Sequence, residues 1–233
     1  MTTNQIILFT ALLPVVILLL YIYFKDKNSP EPVGQLFKAF LYGVGSVFVS
    51  LCISIPLGVL GAGLAESHPI VQSVYNAFFC AAIPEEMAKL IMLWLVLRKN
   101  KYFDENMDGI VYAVCVSLGF AAFENVLYLF GNAEAFVSVG VSRAMFAVPG
   151  HFCFGVLMGY YYSLIKLHNN NMLNTRISVL AVPIVVHGIY DSILFISDVT
   201  PVLSGILTTV FLVFCVKLWQ YARKRIGDFQ TGS

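Results

Sequence analysis

Apolar residues run along this chain in long blocks, and short polar clusters separate them. A helix crossing a bilayer needs about 20 mostly apolar residues. By that ruler, residues 5–24, 37–64, 70–97, 109–130, 136–166, 177–196 and 199–221 predict about seven transmembrane helices. Pro14 is read as a tolerated kink in the first, and Pro69 as the start of the third. The polar separators are Lys25 to Pro32, Ala65 to Pro69, Arg98 to Asp108, Gly131-Asn132-Ala133-Glu134 and the asparagine-rich stretch His168 to Arg176. The fifth block is long, and Val148-Pro149-Gly150 predicts a break in it just before His151. The fold class that follows is all-α: a polytopic membrane helical bundle, one domain over residues 1–233.

Composition sharpens this. The chain is 59% hydrophobic and 12% charged, against about 25% charged residues in soluble domains, so most of it faces lipid or other buried helices. A net charge of +1, with no basic arm or aromatic–basic alternation, gives no footing for nucleic acid. Cys52, Cys80, Cys115, Cys153 and Cys215 stand in separate apolar runs without metal spacing and read as small core residues. The first apolar block follows Met1-Thr2-Thr3-Asn4, with no basic n-region, so it reads as a retained span. Counting spans from an outside N-terminus puts Lys25, Lys27, Arg98, Lys99, Lys101, Lys166, Arg176, Lys217, Arg223, Lys224 and Arg225 on one side. The opposite loops carry Glu66, Glu134 and Asp198 but no Lys or Arg. The positive-inside rule then places the N-terminus outside and the C-terminus in the cytoplasm.

Against this background the charged residues inside spans stand out, because each costs roughly 2.5–3.5 kcal/mol on insertion scales. Glu85 and Glu86 lie in the third block, with Lys89 on the same helix face. One ammonium does not neutralise two carboxylates, so one acid must take a proton or find another partner. Glu124 and Asn125 lie in the fourth, and Asn125 reads equally as glue between helices or as an oxyanion donor. Arg143, Ala147, His151, Gly155 and Gly159 recur every fourth residue in the fifth, and the glycines let that stripe press against a neighbour. Arg143, near the outer boundary, is placed to meet Glu124 or a substrate carbonyl, or equally to reach for lipid headgroups. In the sixth, His187 and Asp191 form a same-face pair in which the carboxylate orients the imidazole, and Tyr190 is read as off that face. By depth these groups describe one water-accessible chamber opening outward. Carboxylates, histidines and an amide around a chamber can activate water and stabilise an oxyanion. Gly-x-Ser-x-Gly and His-Glu-x-x-His are both absent, so serine and zincin mechanisms lack their signatures.

Pro84-Glu85-Glu86-x-x-Lys89, Phe103-Asp104-Glu105 leading to Asp108-Gly109-Ile110-Val111-Tyr112, and Leu118-Gly119-Phe120-Ala121-x-x-Glu124-Asn125 resemble the PrsW family of bacterial intramembrane proteases. So do Arg143…Pro149-x-His151 and His187-Gly188-x-Tyr190-Asp191. The resemblance runs from about Glu31-Pro32 to Asp191. It implies a multi-pass protease of the bacterial cell membrane that makes the site-1, extracytoplasmic cut in a membrane-anchored anti-sigma factor, starting an envelope-stress response. The pattern is more distantly similar to the CAAX prenyl proteases, but Lys89, Glu124 and Asp191 stand where that group has Arg, His and Asn. An ionised aspartate cannot donate to an oxyanion, so that mechanism does not transfer intact.

The expected catalytic residues are Glu85, Glu86, Glu124, His151, His187 and Asp191, supported by Lys89, Asn125 and Arg143. Glu85 or Glu86 takes a proton from water, and His187 donates to the oxyanion with His151 or Asn125. The resemblance also extends to metallopeptidase assignments, for which His151 and His187 with Glu124 or Asp191 would bind zinc. A metal-free route is preferred, since no two histidines share a tight ligand spacing. The rival functions are a proton- or ion-coupled transporter, which lacks the expected internal repeat, and a non-catalytic scaffold that grips single-span proteins.

Overall fold

In a computed structural model, residues 2–26, 29–63, 68–167 and 172–230 are described, and among them there is helix but no strand. Seven helical stretches follow one another: α1 (Thr3–Lys25), α2 (Val33–Gly61), α3 (69–97), α4 (Asn106–Gly131), α5 (Ala133–Lys166), α6 (Leu173–Val199) and α7 (Pro201–Gln230). All but α3 are long and apolar enough to cross a membrane, which gives six candidate spans rather than about seven. α3 is helical throughout but built of pieces of 7, 7 and 15 residues, the middle one a π-helix. The expected all-helical membrane bundle is borne out. The second block was expected to end at Leu64; α2 ends at Gly61, and residues 64–67 lie outside the described residues, as do Lys27 and 168–171.

The break expected at Val148-Pro149-Gly150 is absent. Instead Arg143–Ala147 is a π-helical segment, and Pro149 sits in the first turn of the α-helix that follows. α3 repeats the device, with π-helix over Asn76–Ala82 and Pro84 in the next first turn. Proline lacks an N–H and its ring collides with the carbonyl four residues back. Widening to i→i+5 bonding relieves both: Val148 N–H reaches Arg143 O and Ile83 N–H reaches Phe78 O. The chain therefore stays helical through the residues that carry the polar groups.

α4 is the axis of the bundle, buried without interruption from Met107 to Ala122. Small residues bring its neighbours against it. A Cβ on Gly43 of α2 would lie 2.0 Å from Val116 O, and one on Gly159 of α5 would lie 2.3 Å from Gly109 O. The predicted glycine stripe of α5 thus faces α4, which fixes the depth of His151 against Glu124. α7 is the least buried span.

At the basic end of the bundle, Lys25, Asp26, Asn106, Leu167 and Phe229 share one cleft, and Gln230 Nε2 donates to Lys25 O. Asp26 and Glu31 are both buried here, with Tyr112 donating its hydroxyl to Glu31. Burial, with the Asp108 charge adding to it, pushes the Asp26 carboxyl up to about 7; burial likewise raises Glu31 to about 7. Both acids hold a proton longer in the folded state than in the unfolded one. The stability they contribute is complete below about pH 4 and drains away as pH rises to about 7. The thermal midpoint in detergent is expected to fall from pH 5 to pH 8, and an Asp26→Asn, Glu31→Gln variant to fall less. An identical slope in wild type and variant would contradict this.

Candidate active site

Pro84 places Glu85 and Glu86 in the first turn after the α3 π-segment, and the two carboxylates part there. Glu86 is fully buried and Lys89 is 1% exposed, whereas Glu85 reaches the wall of a cavity of about 350 Å³. Lys89 Nζ lies 2.8 Å from Glu86 Oε1, 3.3 Å from Glu85 Oε2 and 3.0 Å from His151 Nδ1. It also stands 4.3 Å over the Phe120 ring, a cation–π contact. The sequence expectation of one ammonium serving two acids holds in space.

From α6, His187 turns Nδ1 to Glu86 Oε1 at 2.9 Å and Nε2 to Asp191 Oδ2 at 3.2 Å, with Glu85 Oε2 at 4.0 Å. Carboxylates face both ring nitrogens, an arrangement satisfied by a ring that donates from each. Phe154 stacks on that ring at 4.5 Å and 19°. From α4 and α5, Glu124 Oε2 meets His151 Nε2 at 2.9 Å and Arg143 Nη2 at 2.6 Å. An ammonium can only donate, so His151 accepts at Nδ1 from Lys89 and donates from Nε2 to Glu124. Arg143 also donates from Nε to Asn125 Oδ1 at 2.5 Å and lies 4.1 Å over the Tyr128 ring. Ser117 Oγ donates to the His151 carbonyl at 2.6 Å.

Glu85, Glu124, Arg143, His151, His187 and Asp191 line the one cavity, while Glu86, Lys89 and Asn125 lie outside its lining. Three expectations change. Of the two readings of Asn125 the interhelical one fits and the oxyanion donor does not: its Nδ2 donates to Ala11 O of α1 at 3.0 Å and its Oδ1 holds Arg143. Tyr190, expected off the His187–Asp191 face, also lines the cavity, because residues three apart share a helix face. The metal set also changes. Both His151 nitrogens are taken by Lys89 and Glu124, and the group that comes within metal-binding reach is Glu85, Glu86 and His187, one atom from each within 4.8 Å of the others. The wall residues Phe146, Phe154, Tyr128 and Phe211 were missed. Phe154 and Tyr128, three and four residues after His151 and Glu124, were findable by spacing alone.

Residues 31–218 match the family described as PrsW family intramembrane metalloprotease. The chain belongs to the PrsW family. It is 32% identical over 227 residues to the protease PrsW of Clostridioides difficile (strain 630), covering 96% of this chain and 91% of that one. It is 35% identical over 184 residues to the protease PrsW of Bacillus subtilis (strain 168), covering 78% and 79%. The protease PrsW of Geobacillus kaustophilus (strain HTA426) is 32% identical over 213 residues, 91% and 87%. No solved structure matches the chain. With six candidate spans and bacterial PrsW relatives over most of its length, the protein is a multi-pass bacterial membrane protease of the PrsW family. The family resemblance read from the motifs is borne out.

The family description names a metal, and the donor set fits one. An imidazole and two carboxylates are ordinary zinc donors that leave a fourth position open. Here His187 would give up the proton on Nδ1, where Glu86 faces it, while Nε2 stays bonded to Asp191. Glu86 Oε2 is buried and has no hydrogen-bond partner, so it is a donor not spent on Lys89.

Proposed function

We propose that this PrsW-family protein makes the site-1 cut in a membrane-anchored anti-sigma factor on the extracytoplasmic face of the bacterial membrane, releasing an extracytoplasmic-function sigma factor. The observation that carries the reading is Glu85. It is the carboxylate of the buried pair that reaches the cavity, and it faces His187 there. The segregation of Lys and Arg supports an outside N-terminus, which puts the Asp198 end of the cavity outside the cell.

In this reading Glu85 takes a proton from water, and the oxygen attacks the scissile carbonyl. His187, anchored through Nδ1 by Glu86, turns its Nε2–H from Asp191 to the developing oxyanion, and Arg143 supplies positive charge on the facing wall. The C–N bond then breaks, and the proton held by Glu85 passes to the leaving amine. Glu86, Lys89, His151, Glu124 and Asn125 hold these groups in place.

A second reading has its own support in the Glu85, Glu86 and His187 set and the unpartnered Glu86 Oε2. Those three residues would hold a zinc ion, which when bound supplies a Lewis acid and a more acidic water. Loss of cleavage with a chelator and its rescue by zinc would select this reading; indifference to the chelator selects the glutamate route.

The test of the function is co-expression with a membrane-anchored anti-sigma factor in a host lacking its own site-1 protease. A shortened, still membrane-bound fragment is expected. Anti-sigma factor that stays full length would overturn the proposal.

A further inference from the structure

The catalytic cavity does not end at Asp191. It reaches Phe195 and Asp198, and both also line a second cavity of about 310 Å³ formed with Pro69, Gln72, Ser73 and Asn76 of α3. The two make one trough from Glu85 to the end of the bundle opposite Lys25. Its outer part sets the side chains of Gln72, Ser73, Asn76 and Asp198 among apolar wall residues. Gln72 Nε2 donates to Asn76 Oδ1 at 2.7 Å, yet Gln72 Oε1 is buried and accepts nothing. That acceptor has no partner within the protein, and a turn of the Gln72 side chain, which lines the trough, would present it there. Asp198 is exposed at the junction and forms no ion pair among the described residues.

The chemistry that matches this lining is an extended polypeptide. A peptide bond inside an intact helix is shielded, so a membrane-embedded substrate must unwind around the bond to be cut. Unwinding orphans backbone N–H and C=O groups, each expensive to leave unpaired away from water. Side-chain amides offer the same donor–acceptor pair as the peptide group itself. Once the Gln72 side chain turns outward, its acceptor and a donor on Asn76 can therefore replace what the helix gave up. A lipid tail has no use for either group. Asp198 lies seven residues after Asp191 on α6, about 10 Å along the axis at the α-helical rise. An extended chain covers that in about three residues.

We propose that this outer trough is a docking subsite for the unwound substrate segment next to the scissile bond, with Asp198 selecting a lysine or arginine about three residues from the cut. The proposal rests on the protease reading above. The test uses the full chain in proteoliposomes and a membrane-anchored anti-sigma factor, with a single lysine moved through positions one to six from the cut. Wild type should prefer lysine near the third position. Asp198→Lys should raise KM about three- to tenfold for that substrate with less than a twofold change in kcat, and should instead favour glutamate there. Gln72→Ala with Asn76→Ala should raise KM for every member of the set. A flat positional profile with unchanged KM in both variants would overturn the subsite while leaving the protease reading standing. No cleavage by wild type would overturn both.

Discussion

Glu85→Gln is expected to lower kcat by about 10²- to 10⁴-fold, the usual worth of a positioned general base, with the protein still folded in the membrane. Glutamine keeps the shape and can still accept from Lys89, but it cannot take a proton from water. Because Glu85 stands at the cavity wall rather than in the packed interior, the thermal midpoint should move little. Glu86→Gln should also reduce activity, but by a different path. Glu86 anchors Lys89 at 2.8 Å and His187 at 2.9 Å from a site with no exposure, so its loss should lower the midpoint as well. Measuring cleavage and melting on both variants separates the roles. A Glu85→Gln protein that cuts at the wild-type rate would remove Glu85 from the chemistry.

The second large effect is on stability. Lys89→Met leaves Glu86 buried with one cationic partner fewer, strips a bond from Glu85, and takes the donor from His151 Nδ1. Breaking a buried ion pair from one side costs about 3–5 kcal/mol, whereas replacing both partners is often close to neutral. Lys89→Met should therefore unfold at a clearly lower temperature in detergent, and Lys89→Met with Glu86→Gln should recover much of the loss. If Lys89→Met melts like wild type, the ammonium is not what holds the two acids and His151 together.

The chemistry of this site was legible in the sequence for a simple reason. Charge inside an apolar span is expensive, so Glu85, Glu86, Lys89, Glu124, Arg143, His151, His187 and Asp191 stand out with no structure in hand. Spacing by three and four then found the Lys89 contacts and the His187–Asp191 pair. Bilayer length found the helices, although α3 escapes the six-span count. α5 also holds a π-segment and is counted, so it is the polar content of α3, with Gln72, Asn76, Glu85, Glu86 and Lys89, that sets it apart. What spacing along one helix does not carry is rotation between helices. It left Glu85 and Glu86 equivalent, left Asn125 between helix glue and oxyanion donor until its bonds to Arg143 and Ala11 were in view, and grouped the histidines as metal ligands. The one proline segment read as a break, Val148-Pro149-Gly150, follows a widened helix instead, because the cost of a missing N–H can be met by changing the bonding period rather than ending the helix.

The measurement closest to the central claim is cleavage of a membrane-anchored anti-sigma factor by the purified protein in proteoliposomes, run in ¹⁸O-enriched water, with fragment masses read by mass spectrometry. Wild type should give two fragments, the new carboxyl terminus carrying one ¹⁸O from solvent, and Glu85→Gln should give neither at comparable times. Intact substrate with wild type, or labelled fragments formed equally fast by Glu85→Gln, would contradict the account.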